Sequence, residues 1–194
     1  MITVWLVPNK CGEFRSGRVI CEALREYSCY LVKSGFFPCG WIDEHQQRAE
    51  SFLSVLRHCQ VLGMTVEQAD ENGLIIKLPY SEYIVGNPVS GVVHGGAITT
   101  LMDTSCGIST VCYLDEFEIC PTLDLRIDYM HPAEPGKPIY GFAECYRVTP
   151  TIIFTRGVAY QERREDPLAH VVGVFMRMGP APDGQQLFQL GGRV

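Results

Sequence analysis

The stretch GNPVSGVVHGGAITTLMDTSCGIST, from Gly86 to Thr110, holds one charged side chain, Asp103, nine residues after His94. His94-Gly95-Gly96 sits where a helix is expected to begin. The first N–H groups of a helix have no partner inside it. Glycine there lets a substrate carbonyl approach the backbone closely. Those donors and the helix dipole would stabilise an oxyanion formed when that carbonyl is attacked. The plain alternative is a loop-to-helix turn, with His94 a helix-opening or core residue. Asp103 lies in a segment apolar enough to be buried, and a carboxylate is costly to bury unless partnered. It is therefore the candidate base or nucleophile, against the alternative of an ordinary polar residue near Thr99 and Thr110.

Geometry limits how these groups can cooperate. At ~100° and ~1.5 Å per residue, Asp103 lies half a turn away from His94 and about 13 Å further along the helix axis. One helix cannot bring Gly95 and Asp103 to the same carbonyl. Two such helices side by side in opposite directions can, which predicts a dimer with two composite sites.

The elements that must position these residues can be read from periodicity. A helix from Asp43 carries an apolar stripe, Phe52, Leu53, Leu56 and His58-Cys59. VLGMTVEQAD and LIIKLPYSEY flank Glu71-Asn72-Gly73 and predict a hairpin. The uncharged stretch follows, long enough for a helix of about 16 residues at ordinary helix lengths. In TLDLRIDYM, Leu123, Leu125, Ile127 and Tyr129 alternate with Asp124, Arg126 and Asp128, a period of two. IYGFAECYRV and IIFTRGVAYQE, joined at Thr149-Pro150-Thr151, predict a second hairpin. LAHVVGVFMRM is the last strand, after a turn from Arg163 to Pro167. The expectation is an α+β layer structure, a curled antiparallel sheet around one central helix, with its last four strands in a meander.

Both ends differ from this pattern. Residues 1–40 carry a local charge of +2 (five basic residues against three acidic) and four of the nine cysteines. Ile20, Leu24, Tyr27 and Leu31 repeat at helical spacing, Gly35 could end that helix, and Phe37-Pro38-Cys39-Gly40 reads as a linker. We take residues 1–40 as an appended segment, 41–179 as the domain, and 180–194 as a disordered tail rich in glycine and proline.

Composition excludes several classes. A net charge of −6 argues against nucleic acid or an anionic membrane as the main partner. No cysteine pair is spaced C-x-x-C, so neither a zinc ribbon nor a thioredoxin-type motif is supported, and buried thiols in a reducing cytoplasm are expected. The apolar run in MITVWLVPNK is short for a signal peptide and has no basic residue ahead of it. No apolar stretch reaches the roughly 20 residues that span a bilayer. The absence of G-x-S-x-G argues against a serine esterase. The scattered histidines argue against a metal hydrolase, and no cofactor is expected.

His94-Gly95-Gly96, Asp103 and the strand ending Tyr129-Met130-His131-Pro132-Ala133 together resemble the PaaI-like branch of hotdog-fold acyl-CoA thioesterases, over about Gln47 to Gly179. The resemblance implies hydrolysis of an acyl-CoA thioester to acid and coenzyme A, by a homodimer or a tetramer of dimers. It implies that Asp103 is base or nucleophile, that Gly95 and Gly96 of the other chain hold the oxyanion, and that His94 orients the loop. It implies that Asn87, seven residues ahead of His94, places the water or thioester, and that Thr122 supports the nucleophile; a turn at Asn87-Pro88 and strand propensity at Thr122 are their plain alternatives. Relatives carry Gly with Lys or Arg at the hairpin where the coenzyme A phosphates lie. This chain has Thr149-Pro150-Thr151, leaving Arg147 and Arg156 as the nearest cations. A non-catalytic acyl-CoA-binding protein of the same fold, or a thioesterase acting on acyl-carrier-protein, are the alternatives.

Overall fold

The protein was studied as a computed structural model, which describes residues 44–179. The appended segment with its helix and linker, the first residue of the helix expected from Asp43, and the tail from 180 all lie outside the described residues. The described chain runs α1 (Glu44–Val55), α2 (Arg57–Val61), β1 (Thr65–Asp70), β2 (Gly73–Leu78), a 3-10 turn (Glu82–Ile84), β3 (Val85–Asn87), β4 (Val92–Val93), α3 (Gly95–Tyr113), β5 (Thr122–Tyr129), β6 (Ile139–Val148), β7 (Ile152–Tyr160) and β8 (Ala169–Met176).

The architecture is the expected α+β one, a six-stranded antiparallel sheet with a long helix against it. The strand order is β1-β2-β6-β7-β8-β5, which corrects the four-strand meander. β6, β7 and β8 do form consecutive hairpins, but β5 lies at the edge beside β8. The chain from β5 to β6 carries Pro132, Pro135 and Pro138, which lack the N–H a strand ladder needs. It therefore leaves the sheet and crosses over rather than turning back.

The helix near the N-terminal side is also not continuous. At Leu56 the backbone turns extended (φ −84°, ψ 92°), separating α1 from α2. The break brings Cys59 against α3, where its thiol meets the Thr104 hydroxyl at 3.5 Å. The β1–β2 hairpin closes through Glu71 and Asn72, with Asp70 paired to Gly73. Gly73 has a φ of 146°, open only to glycine.

Helix α3 sits close to the sheet because the strands beneath it present small residues. A Cβ on Gly141 would lie 2.7 Å from the Ser105 hydroxyl oxygen and 2.9 Å from Leu101. The core between helix and sheet is Leu101, Met102 and Ile108 against Ile76, Ile139, Ile153 and Phe175, all fully buried. Each contributes about 1.5–3 kcal/mol by leaving water. Helix α3 is 19 residues long, somewhat longer than expected. Among the described residues, no helix is long and apolar enough to cross a membrane.

Edge strand β5 departs from clean alternation. Thr122 pairs with Phe175 and Asp124 with Val174, so a bulge falls at Leu123. Leu125 and Ile127 are half-buried, whereas Leu123 and Tyr129 are about half exposed, at 55% and 50%.

Candidate active site

The turn that opens α3 is built by the short β3–β4 hairpin, which sequence reasoning missed. His94 N–H donates to the Ile84 carbonyl at 2.8 Å. Gly86 passes so close to His94 that a Cβ there would lie 2.8 Å from the His94 Cα. His94 is the N-cap of α3, and its Nδ1 accepts from the Gly96 N–H at 2.9 Å. An accepting Nδ1 puts the ring proton of neutral His94 on Nε2. On the other side, the Tyr129 hydroxyl donates to the Gly95 carbonyl at 2.7 Å and lies 2.7 Å from the Thr99 hydroxyl. The Gly95–Gly96 peptide is thus held at both ends, by Tyr129 and by His94. The Gly96 N–H is occupied; the Gly95 N–H has no hydrogen-bond partner among the described residues. Of the two glycine donors, Gly95 is the one left to receive an incoming oxygen.

Asp103 lies two turns further along α3. It is half-buried rather than enclosed, and the Thr122 hydroxyl donates to its Oδ1 at 2.9 Å. The loop after α3 returns to start β5 beside the helix, which is how residues 19 apart meet. The pair lines a cleft of about 560 Å³ whose exposed mouth includes Arg57 and His58 and whose buried floor includes Cys59, Ile108 and Phe175. That volume is in the range of small-molecule sites.

The remaining candidates lie elsewhere. Asn87 spends its side-chain oxygen on a turn, accepting from Val89 N–H at 3.0 Å and Ser90 N–H at 3.4 Å. Arg156 pairs with Glu144 at 2.7 Å and stacks over the Tyr146 ring. Arg147 is exposed beyond a bulge in β6. Neither arginine lines the cleft that holds Asp103. Within one chain the structure therefore joins Asp103 with Thr122, and His94 with Gly95 and Gly96, as two separate groups.

The cleft also recruits residues that sequence reasoning left aside. Thr100, Asp103, Thr104, Gly107 and Ile108 share one face of α3, at spacings i, i+3, i+4, i+7 and i+8. That spacing was available as a signal. The contribution of Phe52, Arg57 and His58 was not, since it depends on how α1 and α2 dock. Among the described residues, the thiols of Cys59, Cys106, Cys120 and Cys145 offer no rival nucleophile. Burial pushes the Cys106 thiol up to about 12 and Cys145 up to about 11, and it raises Cys59 as well, with the Asp103 charge adding to the effect. A thiol held protonated is unreactive.

Comparison with known proteins places this geometry. The profile of the thioesterase superfamily matches residues 90–167, which span the α3 turn, Asp103, Thr122 and strands β5 to β7. A Pseudomonas aeruginosa protein of known crystal structure is 75% identical, covering 69% of this chain and 99% of its own, with a TM-score of 0.65. The Escherichia coli PaaI protein from the phenylacetic acid degradation operon is 16% identical over 71% of this chain and 95% of its own, with a TM-score of 0.63, a likeness of fold. A Halobacterium salinarum protein named as a candidate esterase is 35% identical over 75 residues, 37% of this chain. The chain spans about half the length of that curated relative, 50%. With the matched profile lying over the helix turn and the carboxylate, and the same sheet and helix in its relatives, this chain belongs to the thioesterase superfamily and is built as a PaaI-like hotdog.

Proposed function

We propose that the protein hydrolyses an acyl-CoA thioester, with Asp103 as general base or nucleophile and the Gly95 N–H of a second copy as oxyanion donor. The observation that carries this reading is Asp103, half-buried in a cleft with an apolar floor and bonded at 2.9 Å by the exposed Thr122 hydroxyl. A donated hydroxyl fixes one carboxylate oxygen and leaves the other to take a proton from water or to attack the carbonyl. In the base route, water oxygen bonds to the acyl carbon and its proton passes to Asp103. The tetrahedral oxyanion then collapses, the C–S bond breaks, and the thiolate leaves with a proton as free thiol.

The second copy is required by distance. Gly95 and Asp103 of one chain are eight residues apart on a helix, about 12 Å along its axis, too far to contact one carbonyl. Antiparallel apposition of two α3 helices brings each Gly95 to the other chain's Asp103. Edge strand β5 supports that apposition, since Leu123 and Tyr129 on it and Met130 just after it are exposed.

Asp103→Asn tests the reading. The amide keeps the shape and removes the charge, so turnover of acyl-CoA, followed by thiol release, should fall by about 10²–10⁴. Thermal stability should be unchanged or higher, because a partly buried charge is removed. Turnover within threefold of wild type would make Asp103 structural and end the proposal. Acyl-carrier-protein thioesters assayed in parallel decide between the two thiol carriers.

A further inference from the structure

The cleft continues past Asp103 along α3, and what lines that extension narrows the acyl group. The next residue on the same face, one turn further, is Gly107, and a Cβ built there meets only the Phe175 ring, at 3.6 Å. An ordinary side chain at 107 would therefore project into the cleft over Phe175. The kink at Leu56 supplies the opposite wall through Phe52, Val55 and Leu56, and Ile108 and Phe175 close the floor at 0% and 1% exposure. Polarity falls with depth, from Arg57, His58 and Thr122 at the mouth to apolar side chains below. Among the described residues, no buried side-chain nitrogen or oxygen lacks a hydrogen-bond partner. The floor residues Cys59, Ile108 and Phe175 carry no side-chain nitrogen or oxygen, and the adjacent Thr104 hydroxyl is already engaged with the Cys59 thiol at 3.5 Å. A hydroxyl or carboxylate on the far end of an acyl chain would therefore be desolvated there without compensation.

Resting on the thioesterase reading above, we infer that the site selects an extended apolar acyl chain, whose tail runs below Asp103 over Phe175, and that the missing side chain of Gly107 sets how long that tail can be. A short acyl leaves the floor unfilled, and a chain with a terminal carboxylate is rejected.

The test separates the pocket from the chemistry. Binding of non-hydrolysable S-alkyl coenzyme A thioethers is measured by calorimetry on the Asp103→Asn protein, with methyl, hexyl and decyl groups and a carboxyhexyl analogue. Affinity should rise from methyl to the longer alkyls, and the carboxyhexyl analogue should bind about tenfold or more weaker than hexyl. Adding Gly107→Leu should cost the decyl thioether about tenfold or more while leaving methyl unchanged, with Gly107→Ala in between. Affinity independent of length, or equal for hexyl and carboxyhexyl, overturns the inference even if the leucine variant does not fold. A uniform loss across all lengths in a folded leucine variant overturns the role of Gly107. Hydrolysis of the matching acyl-CoA series by the Asp103 enzyme is a separate arm. No turnover at any length would overturn the thioesterase reading, and the binding series would still decide the pocket.

Discussion

At the scale of single residues, two hydroxyls hold the groups proposed to react. Thr122 donates to Asp103, and Tyr129 donates to the carbonyl of Gly95, whose N–H is the free donor. Replacing Thr122 by Val removes one charge-assisted bond at an exposed position. It should lower kcat about tenfold with little change in KM, since the bond orients the carboxylate and does not touch substrate. A KM effect with unchanged kcat would place Thr122 in binding. Tyr129→Phe removes one of two hydroxyl donors to the Gly95 carbonyl, leaving Thr99 at 3.1 Å, while keeping the ring against the turn. It should also reduce kcat more than KM, and equal activity would show that the Thr99 hydroxyl and the His94 cap suffice to hold the peptide. Of these residues, His94, the two glycines and Asp103 were legible because spacing marks them on one helix. The chemistry of Tyr129 was hidden, because the motif that includes it says nothing of a contact back to Gly95 across 34 residues.

At the scale of elements, the loop between α3 and β5 must be held for Thr122 to reach Asp103, and Glu118 holds it. Its carboxylate is buried and takes a two-point bond from Arg177 just after β8, and Arg177 also donates to the Thr149 carbonyl at 3.2 Å in the β6–β7 turn. The bond from Arg177 keeps the Glu118 carboxyl below the usual carboxylate range. A carboxyl depressed in the folded state stabilises it above the unfolded value, and that contribution is lost as pH falls through the folded value. Stability should therefore drop in the acid range below about pH 4. Glu118→Gln should cost about 1.5–3 kcal/mol at neutral pH and flatten the acid dependence. An unchanged acid slope in chemical denaturation would assign it to other carboxylates. Hairpins β1–β2 and β6–β7 were readable because turn residues and alternation are local. The edge position of β5 and the break at Leu56 were not. Both follow from packing partners distant in sequence, the β8 ladder in one case and Thr104 of α3 in the other.

At the scale of the whole molecule, the proposed chemistry needs two chains, because the free Gly95 N–H and the Asp103 carboxylate belong to separate groups in one. Two variants each disable one half. Asp103→Asn removes the carboxylate. Gly95→Pro removes the N–H at the first position of α3, where proline's fixed φ suits a helix start and the preceding His94, at φ −65° and ψ 132°, is already compatible. The added ring carbon meets the Tyr129 hydroxyl at 3.3 Å, a contact the side chain can relieve by a small shift. Each variant alone should be nearly inactive. The deciding measurement is the thioesterase activity of mixed dimers, prepared by co-expressing the two variants with different affinity tags and purifying through both. A site composed across the interface regenerates one intact centre per mixed dimer, and activity should recover to about half that of wild type. A mixed dimer as inactive as its parents would mean that Gly95 and Asp103 act within one chain or not together, and would contradict the account.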